Sequence, residues 1–261
     1  ASDVYKRQEI DSLCDAAIKK SDMSKNSPLR YITSAIIAGF FIVVAIILSN
    51  ITAAVFYKSS PELSKFLGSI LFPIAIILIV FVGGDLFTGN NMTMAFGLYN
   101  NKVKFSSALR VCIMSYIGNF IGTFILGGLL VLSGCASEVL TDYYSAIIPG
   151  KLELDPLTLF IRGVLCNYLV CLAVFIGTRM KTESGKLVVM FCIITAFVIA
   201  GFEHCIANMG IFTIAAFLLG GLPTQEVINN FIFVTLGNIF GGTILFALPL
   251  SLIHISEPTR P

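Results

Sequence analysis

The 27 residues from Tyr31 to Tyr57 carry no charged side chain, and five similar stretches follow. Phe66–Leu98 is interrupted only by Asp85, Val111–Ser137 is unbroken, and Leu157–Thr178 carries Arg162 near its start; Leu187–Thr224 and Val227–Ile253 complete the set. A bilayer core is ~30 Å thick and is crossed by about 20 helical residues, whereas membrane β-strands are about 10-residue alternating segments. The runs therefore predict an all-α membrane protein with six transmembrane helices. Only 12% of the residues are charged, against about a quarter in soluble domains, too few to cover a water-facing surface. Basic residues sit in short loops rather than on one face, which argues for a lipid bilayer and against nucleic acid as the main partner.

Those loops also set the orientation. Lys6, Arg7, Lys19, Lys20, Lys25 and Arg30 precede the first run, Lys102, Lys104 and Arg110 follow the second, and Arg179, Lys181 and Lys186 follow the fourth. The opposite loops hold Lys58, Lys65 and Lys151. The positive-inside rule then places both termini in the cytoplasm and the protein in an inner or plasma membrane. Residues 1–8 and 253–261 read as non-native tails: the first lacks an initiator methionine, and the second ends an apolar run in mixed polar residues. His254 is given no role. Residues 9–30 form a cytoplasmic segment, within which Ile18–Arg30 suits either an amphipathic helix or a solvated tail, and residues 31–252 form the transmembrane domain.

The second and fifth runs are too long for one span: 38 helical residues would stretch roughly 57 Å. Each contains a polar interruption, "GGDLFTGNN" from Gly83 and "GFEHCIANM" from Gly201. Both read Gly, any residue, acid, four residues, Asn, which aligns Gly83, Asp85 and Asn90 with Gly201, Glu203 and Asn208. Downstream, "YIGNFIGT" at Tyr116–Thr123 matches "TLGNIFGG" at Thr235–Gly242 and aligns Asn119 with Asn238. Three spans per half means that the halves cross the membrane in opposite senses, an inverted 3+3 repeat with broken second and fifth helices. Interrupted backbone is tolerated in a membrane only where protein or a water-filled path surrounds it, so the interruptions should face each other across a pore. Gly118 and Gly122, like Gly237 and Gly241, allow close helix packing within a protomer or an oligomer.

An acid and an imidazole near the middle of an apolar run are expensive and point to function. The seven cysteines lack a C-x-x-C pairing and read as small apolar residues. With two histidines in the chain and no H-E-x-x-H, neither a metal, a cofactor nor a membrane-embedded enzyme is indicated.

At "GGDLFTGN", "GNFIGT", "CNYLVCLAV", "GFEHCIANM" and "GNIFGG" the chain resembles the formate/nitrite transporter family, over about Pro28 to Leu250. The resemblance implies an aquaporin-like protomer, a homopentamer with one pore per protomer, and passage of small monovalent weak-acid anions: formate first, then nitrite and hydrosulfide. It implies that His204 is the central pore histidine and that Thr88 hydrogen-bonds it, with Leu86 in the same loop. Phe72 and Ile76 correspond to one hydrophobic constriction, where the family often has Leu in place of Ile76, and Phe197 corresponds to another. Asn167 corresponds to a vestibule asparagine and Lys151 to a lysine on the outer side, while Glu203 and Asn208 flank the histidine.

The chemistry fits such a path. A bare anion in a low-dielectric pore faces a desolvation cost of several kcal/mol, and a weak acid escapes it by taking a proton. Histidine, with an unperturbed pKa of ~6.5, is suited to that exchange. Greasy gates would exclude hydrated ions, and Lys151 with the half-helix N-termini would draw anions in. Glu203 either ties down the broken backbone or pairs with Lys151; Asp85 should bond the N–H groups of its own loop; Asn119 and Asn238 should bond across helices. Arg162 is an anion attractor or a structural partner. An ion-coupled carrier of another small monocarboxylate and a neutral-solute pore are the alternatives.

Overall fold

In the computed structural model the backbone is described for residues 2–254 and side chains for residues 10–253, so the tail 255–261 and the side chains of residues 1–8 lie outside the described residues. The described chain is entirely helical. Helix α1 (Ser2–Asn26) is followed by α2 (Pro28–Tyr57), α3 (Pro61–Leu71), α4 (Ile74–Val82), α5 (Phe87–Tyr99), α6 (Phe105–Leu132), α7 (Ser137–Leu152), α8 (Pro156–Arg179), α9 (Glu183–Ile199), α10 (Cys205–Leu219), α11 (Thr224–Phe240), a π-helical turn over Gly241–Ala247 and α12 (Leu248–His254). Five helical stretches are long and apolar enough to cross a membrane: α2, α3 with α4, α6, α8, and α11 through α12. Helix α10 is apolar but shorter. The segment between Leu132 and Pro156 contains α7.

Both expected interruptions are present. Residues 83–86 separate α4 from α5, and residues 200–204 separate α9 from α10. Gly83 and Gly201, at or next to the start of each, have positive φ, 99° and 75°, where a side chain costs about 2 kcal/mol of backbone strain. The chain turns there without a Cβ clash and restarts a helix four residues later.

Proteins in lipid leave no backbone group unpaired, and one asparagine serves each break. Asn119 on α6 donates to the carbonyls of Ala35 (2.7 Å) and Asp85 (2.9 Å) and accepts from the Phe87 amide (2.9 Å). Asn238 on α11 donates to Gly163 (2.8 Å) and Glu203 (3.0 Å) and accepts from the Cys205 amide (2.9 Å). The amides of the two acids are matched as well: Asp85 N–H donates to the Ser34 carbonyl and Glu203 N–H to the Arg162 carbonyl, both at 3.3 Å.

These bonds require the helices to lie close, and glycine allows it. A Cβ on Gly122 would sit 2.2 Å from the Ile36 carbonyl of α2, and one on Gly237 would sit 2.2 Å from the Phe160 carbonyl of α8. Gly118 and Gly241 are similarly tight against Ala35 and Val164. All four glycines pack helices within the protomer, α6 on α2 and α11 on α8.

Within Ile18–Arg30 the chain is helical to Asn26 and again from Pro28, and the buried apolar face of α1 lies before Ile18. Ile10, Leu13 and Cys14 of α1 are buried against Met92, Phe96, Phe175 and Phe246, and Ala17 against Tyr31 and Met94.

Candidate functional site

The N-termini of α5 and α10 bring Thr88 and His204 together inside the helical bundle. His204 is the N-cap of α10, and its Nδ1 accepts the Ala207 amide at 3.1 Å. A ring nitrogen that accepts carries no proton, so the hydrogen-bond network assigns the proton of the neutral imidazole to Nε2. Nε2 lies 3.1 Å from Thr88 Oγ1. The Thr88 hydroxyl accepts from the ring and keeps its own hydrogen to donate. Thr88 is in turn fixed through its carbonyl, which accepts from Asn167 Nδ2 at 3.2 Å.

His204 is 4% exposed and borders two cavities of different character. The larger, about 460 Å³, opens at the α7 end and is lined by Asn50, Ser69, Lys151, Arg162, Glu203 and Asn208 among others. The smaller holds about 10 Å³, room for about one water, and is walled by Ile42, Ile76, Ile79, Leu86, Val170 and Ile194. Phe72 and Phe197 line both. Their rings meet edge to face with centroids 6.1 Å apart, and Phe197 also stacks on the imidazole at 6.2 Å. Phe72, Ile76 and Phe197 all border the small chamber together with Leu86, since α3 and α4 both pack on α9.

Around the larger cavity the polar groups are mostly spoken for. Lys151 Nζ donates to Glu203 Oε1 (2.8 Å), Glu203 Oε2 (2.9 Å) and Asn208 Oδ1 (3.2 Å). Asn208 returns a bond to Glu203 Oε2 (2.7 Å) and donates to Asn230 Oδ1 (2.8 Å). An ammonium has three hydrogens, and all three are directed at these acceptors. Glu203 therefore pairs with Lys151, and the lysine expected to draw anions in is neutralised by its neighbour.

At the other break Asp85 accepts from Lys20 of α1 and from Ser34 Oγ (2.7 Å). The expected bonds from Asp85 to its own loop are replaced, since Asn119 already takes the Phe87 amide. Asn90 Nδ2 donates to Tyr31 OH at 2.8 Å. Asn167, expected in a vestibule, is fully buried, and its Nδ2 also reaches the Asn238 carbonyl at 2.6 Å. Its bonds tie the Thr88 break to the helix that carries Asn238.

Lys20, Ser34, Asn230 and four chamber residues, Ile42, Ile79, Val170 and Ile194, were not singled out from sequence. Asn230 was open to detection as a polar residue inside the sixth apolar run. Lys20 offered no such signal, being one of several lysines near the N-terminus and 65 residues from its partner.

Comparison with known proteins identifies relatives of the whole chain and of its fold. The formate/nitrite transporter family profile matches residues 7–252. A Bacillus subtilis (strain 168) protein named uncharacterized transporter YwcJ is 32% identical over 91% of this chain and 94% of its own. A solved structure described as an FNT family ion channel superposes with a TM-score of 0.86 at 25% identity, over 94% of this chain and 98% of that one. Another, described as a pentameric formate channel with formate bound, gives 0.77 at 27% identity, over 89% and 100%. A profile match across nearly the whole length, on a fold shared with two solved channels, places the chain in the formate/nitrite transporter family.

Proposed function

We propose that the protein is a pentameric inner-membrane channel for small monovalent weak-acid anions, formate foremost, then nitrite and hydrosulfide, with both termini cytoplasmic. The observation that carries this reading is His204, a titratable ring between an open vestibule that holds charged groups and a narrow apolar chamber, held through Nδ1 and Nε2. The matched hydrogen bonds of Asn119 and Asn238 support an inverted 3+3 repeat of six spans. So does the contact between Tyr116 OH and Thr235 Oγ1 at 3.0 Å: these positions are equivalent in the two sequence motifs, and equivalent residues touch only at a two-fold axis. The sequence bias of basic residues makes the α1 end cytoplasmic. Similarity to a solved channel that is pentameric and has formate bound supports the substrate and the five-fold assembly.

In this reading the chamber excludes a bare anion, because its walls apart from His204 are aliphatic and aromatic. An anion in the vestibule reaches the ring, where a proton arriving at Nδ1, with release of the Ala207 amide, makes an imidazolium. The ring gives one proton to the anion and returns to its neutral form, and the neutral acid crosses past Phe72, Phe197 and Leu86. The charged groups facing the ring lie on the vestibule side: Lys65, Lys151, Arg162 and Glu203. The test is flux into proteoliposomes containing the full chain, comparing formate, nitrite, hydrosulfide and acetate at two pH values. Formate should pass fastest and faster at the lower pH; faster flux of acetate, or of water with no anion passing, would remove the reading.

A further inference from the structure

The vestibule contains a cation that its own geometry leaves free. Arg162 is half-buried on α8 and lines the larger cavity. Its carbonyl accepts the Glu203 amide at 3.3 Å, so its side chain starts beside a buried carboxylate. Yet Glu203 is filled by Lys151 and Asn208, with Lys151 reaching both oxygens. Among the described residues the Arg162 guanidinium has no carboxylate or carbonyl partner. The matched position at the other break sharpens the point: Ser34, whose carbonyl accepts the Asp85 amide, also gives its hydroxyl to Asp85. Arg162 holds the same backbone role and withholds its side chain from the acid.

A half-buried guanidinium facing an open, largely apolar cavity beside a matched Lys–Glu pair is a docking point for an anion. Its donors form a planar fork, which two oxygens on one atom satisfy with a pair of parallel bonds, whereas a single charged atom meets one arm at a time. We infer that Arg162 captures the permeating anion in the vestibule and favours flat two-oxygen anions such as formate and nitrite over single-centre anions such as hydrosulfide. This inference rests on the channel reading above and adds the residue that sets preference among its substrates.

The experiment uses the full chain in proteoliposomes, with flux measured against anion concentration for formate, nitrite and hydrosulfide. Arg162→Lys keeps the charge and removes the fork. It should raise the half-saturating concentration of formate and nitrite about tenfold, the loss of one charge-assisted hydrogen bond, and shift hydrosulfide by less than about twofold. Arg162→Gln should raise all three. Unchanged formate and nitrite saturation in Arg162→Lys, or an equal shift of all three anions in that variant, overturns the inference. Thermal unfolding of the detergent-solubilised protein in formate and in hydrosulfide reads the site without transport. A formate-dependent rise in Tm that is smaller in Arg162→Lys supports the docking site even if wild-type flux is absent and the channel reading fails; a rise of equal size in wild type and variant contradicts it. Loss of the oligomer in both variants, with wild-type formate stabilisation of the separated protomer, makes Arg162 a subunit contact and likewise overturns it.

Discussion

The two helix breaks are built from one plan and differ in what they present. At residues 83–86 and 200–204 a positive-φ glycine, an acid, an asparagine from a neighbouring helix and a lysine from a preceding helix recur in the same relations. Lys20 of α1 meets Asp85, and Lys151 of α7 meets Glu203. The contents differ at three matched places. Leu86 caps α5 where His204 caps α10. Ser34 spends its side chain on the acid where Arg162 does not. Gly39 lies against the Asn119 carbonyl where Asn167 donates to that of Asn238. What is shared satisfies backbone in a non-helical stretch. What differs puts a titratable ring and a free cation on one side and an aliphatic wall on the other, so the symmetric parts are scaffold and the asymmetric parts carry the chemistry we propose.

If Asn119 and Asn238 are equivalent scaffold, Asn119→Leu and Asn238→Leu should be comparably severe. Each strands an amide and two carbonyls, at a cost on the order of 4 kcal/mol. Thermal unfolding in detergent checks it, and a large loss in one variant with none in the other would break the equivalence. The acids come next. Glu203→Gln leaves Lys151 facing a neutral amide at a buried site, a loss of about 3 kcal/mol. Asp85→Asn should cost less, because its lysine comes from α1 and can swing to solvent, and it should show instead as faster proteolysis near residue 20. Equal global destabilisation by the two would deny the difference between a fixed and a detachable partner. The smallest effects belong to the glycines. Neither Gly83 nor Gly201 has an atom within 4 Å of an added Cβ, so Gly83→Ala and Gly201→Ala should each lose only backbone strain, about 2 kcal/mol. A much larger loss at one site would mean that its break depends on more than chain direction.

The scaffold was more legible in the sequence than the site. The Gly-x-acid motifs located both breaks within a few residues, because a polar interruption in an apolar run is costly in lipid unless the chain leaves the helix there. The paired G-N-x-x-G motifs marked Asn119 and Asn238 as bonding across helices. The hydrogen bond between Thr88 and His204 was expected through the family resemblance, and the pairing of Glu203 with Lys151 was one of two readings the sequence left open. Three things were not legible, and each for a tertiary reason. Lys20 reaches Asp85 only because α1 folds back over α5 and α6. Asn167 sits on the correct helix, but its rotation towards Asn238 takes its amide out of the vestibule. Phe72, at the end of α3, meets Phe197 because α3 and α4 pack against α9, which spacing along the chain does not encode. The fate of Arg162 belongs with these, since the sequence left it open between attractor and partner until the bonds of Glu203 were counted.

The central claim is that the ring of His204 exchanges the proton that lets an anion cross. His204→Asn keeps an acceptor near the Nδ1 position for the Ala207 amide, so the break stays capped, but the amide does not titrate and gives up the bond to Thr88. The direct measurement is formate flux through wild type and His204→Asn in proteoliposomes between about pH 5 and 8, where histidine changes charge. The account predicts that wild-type flux rises as the pH falls and that this step is lost in the variant. A folded variant that retains the wild-type pH profile would contradict it.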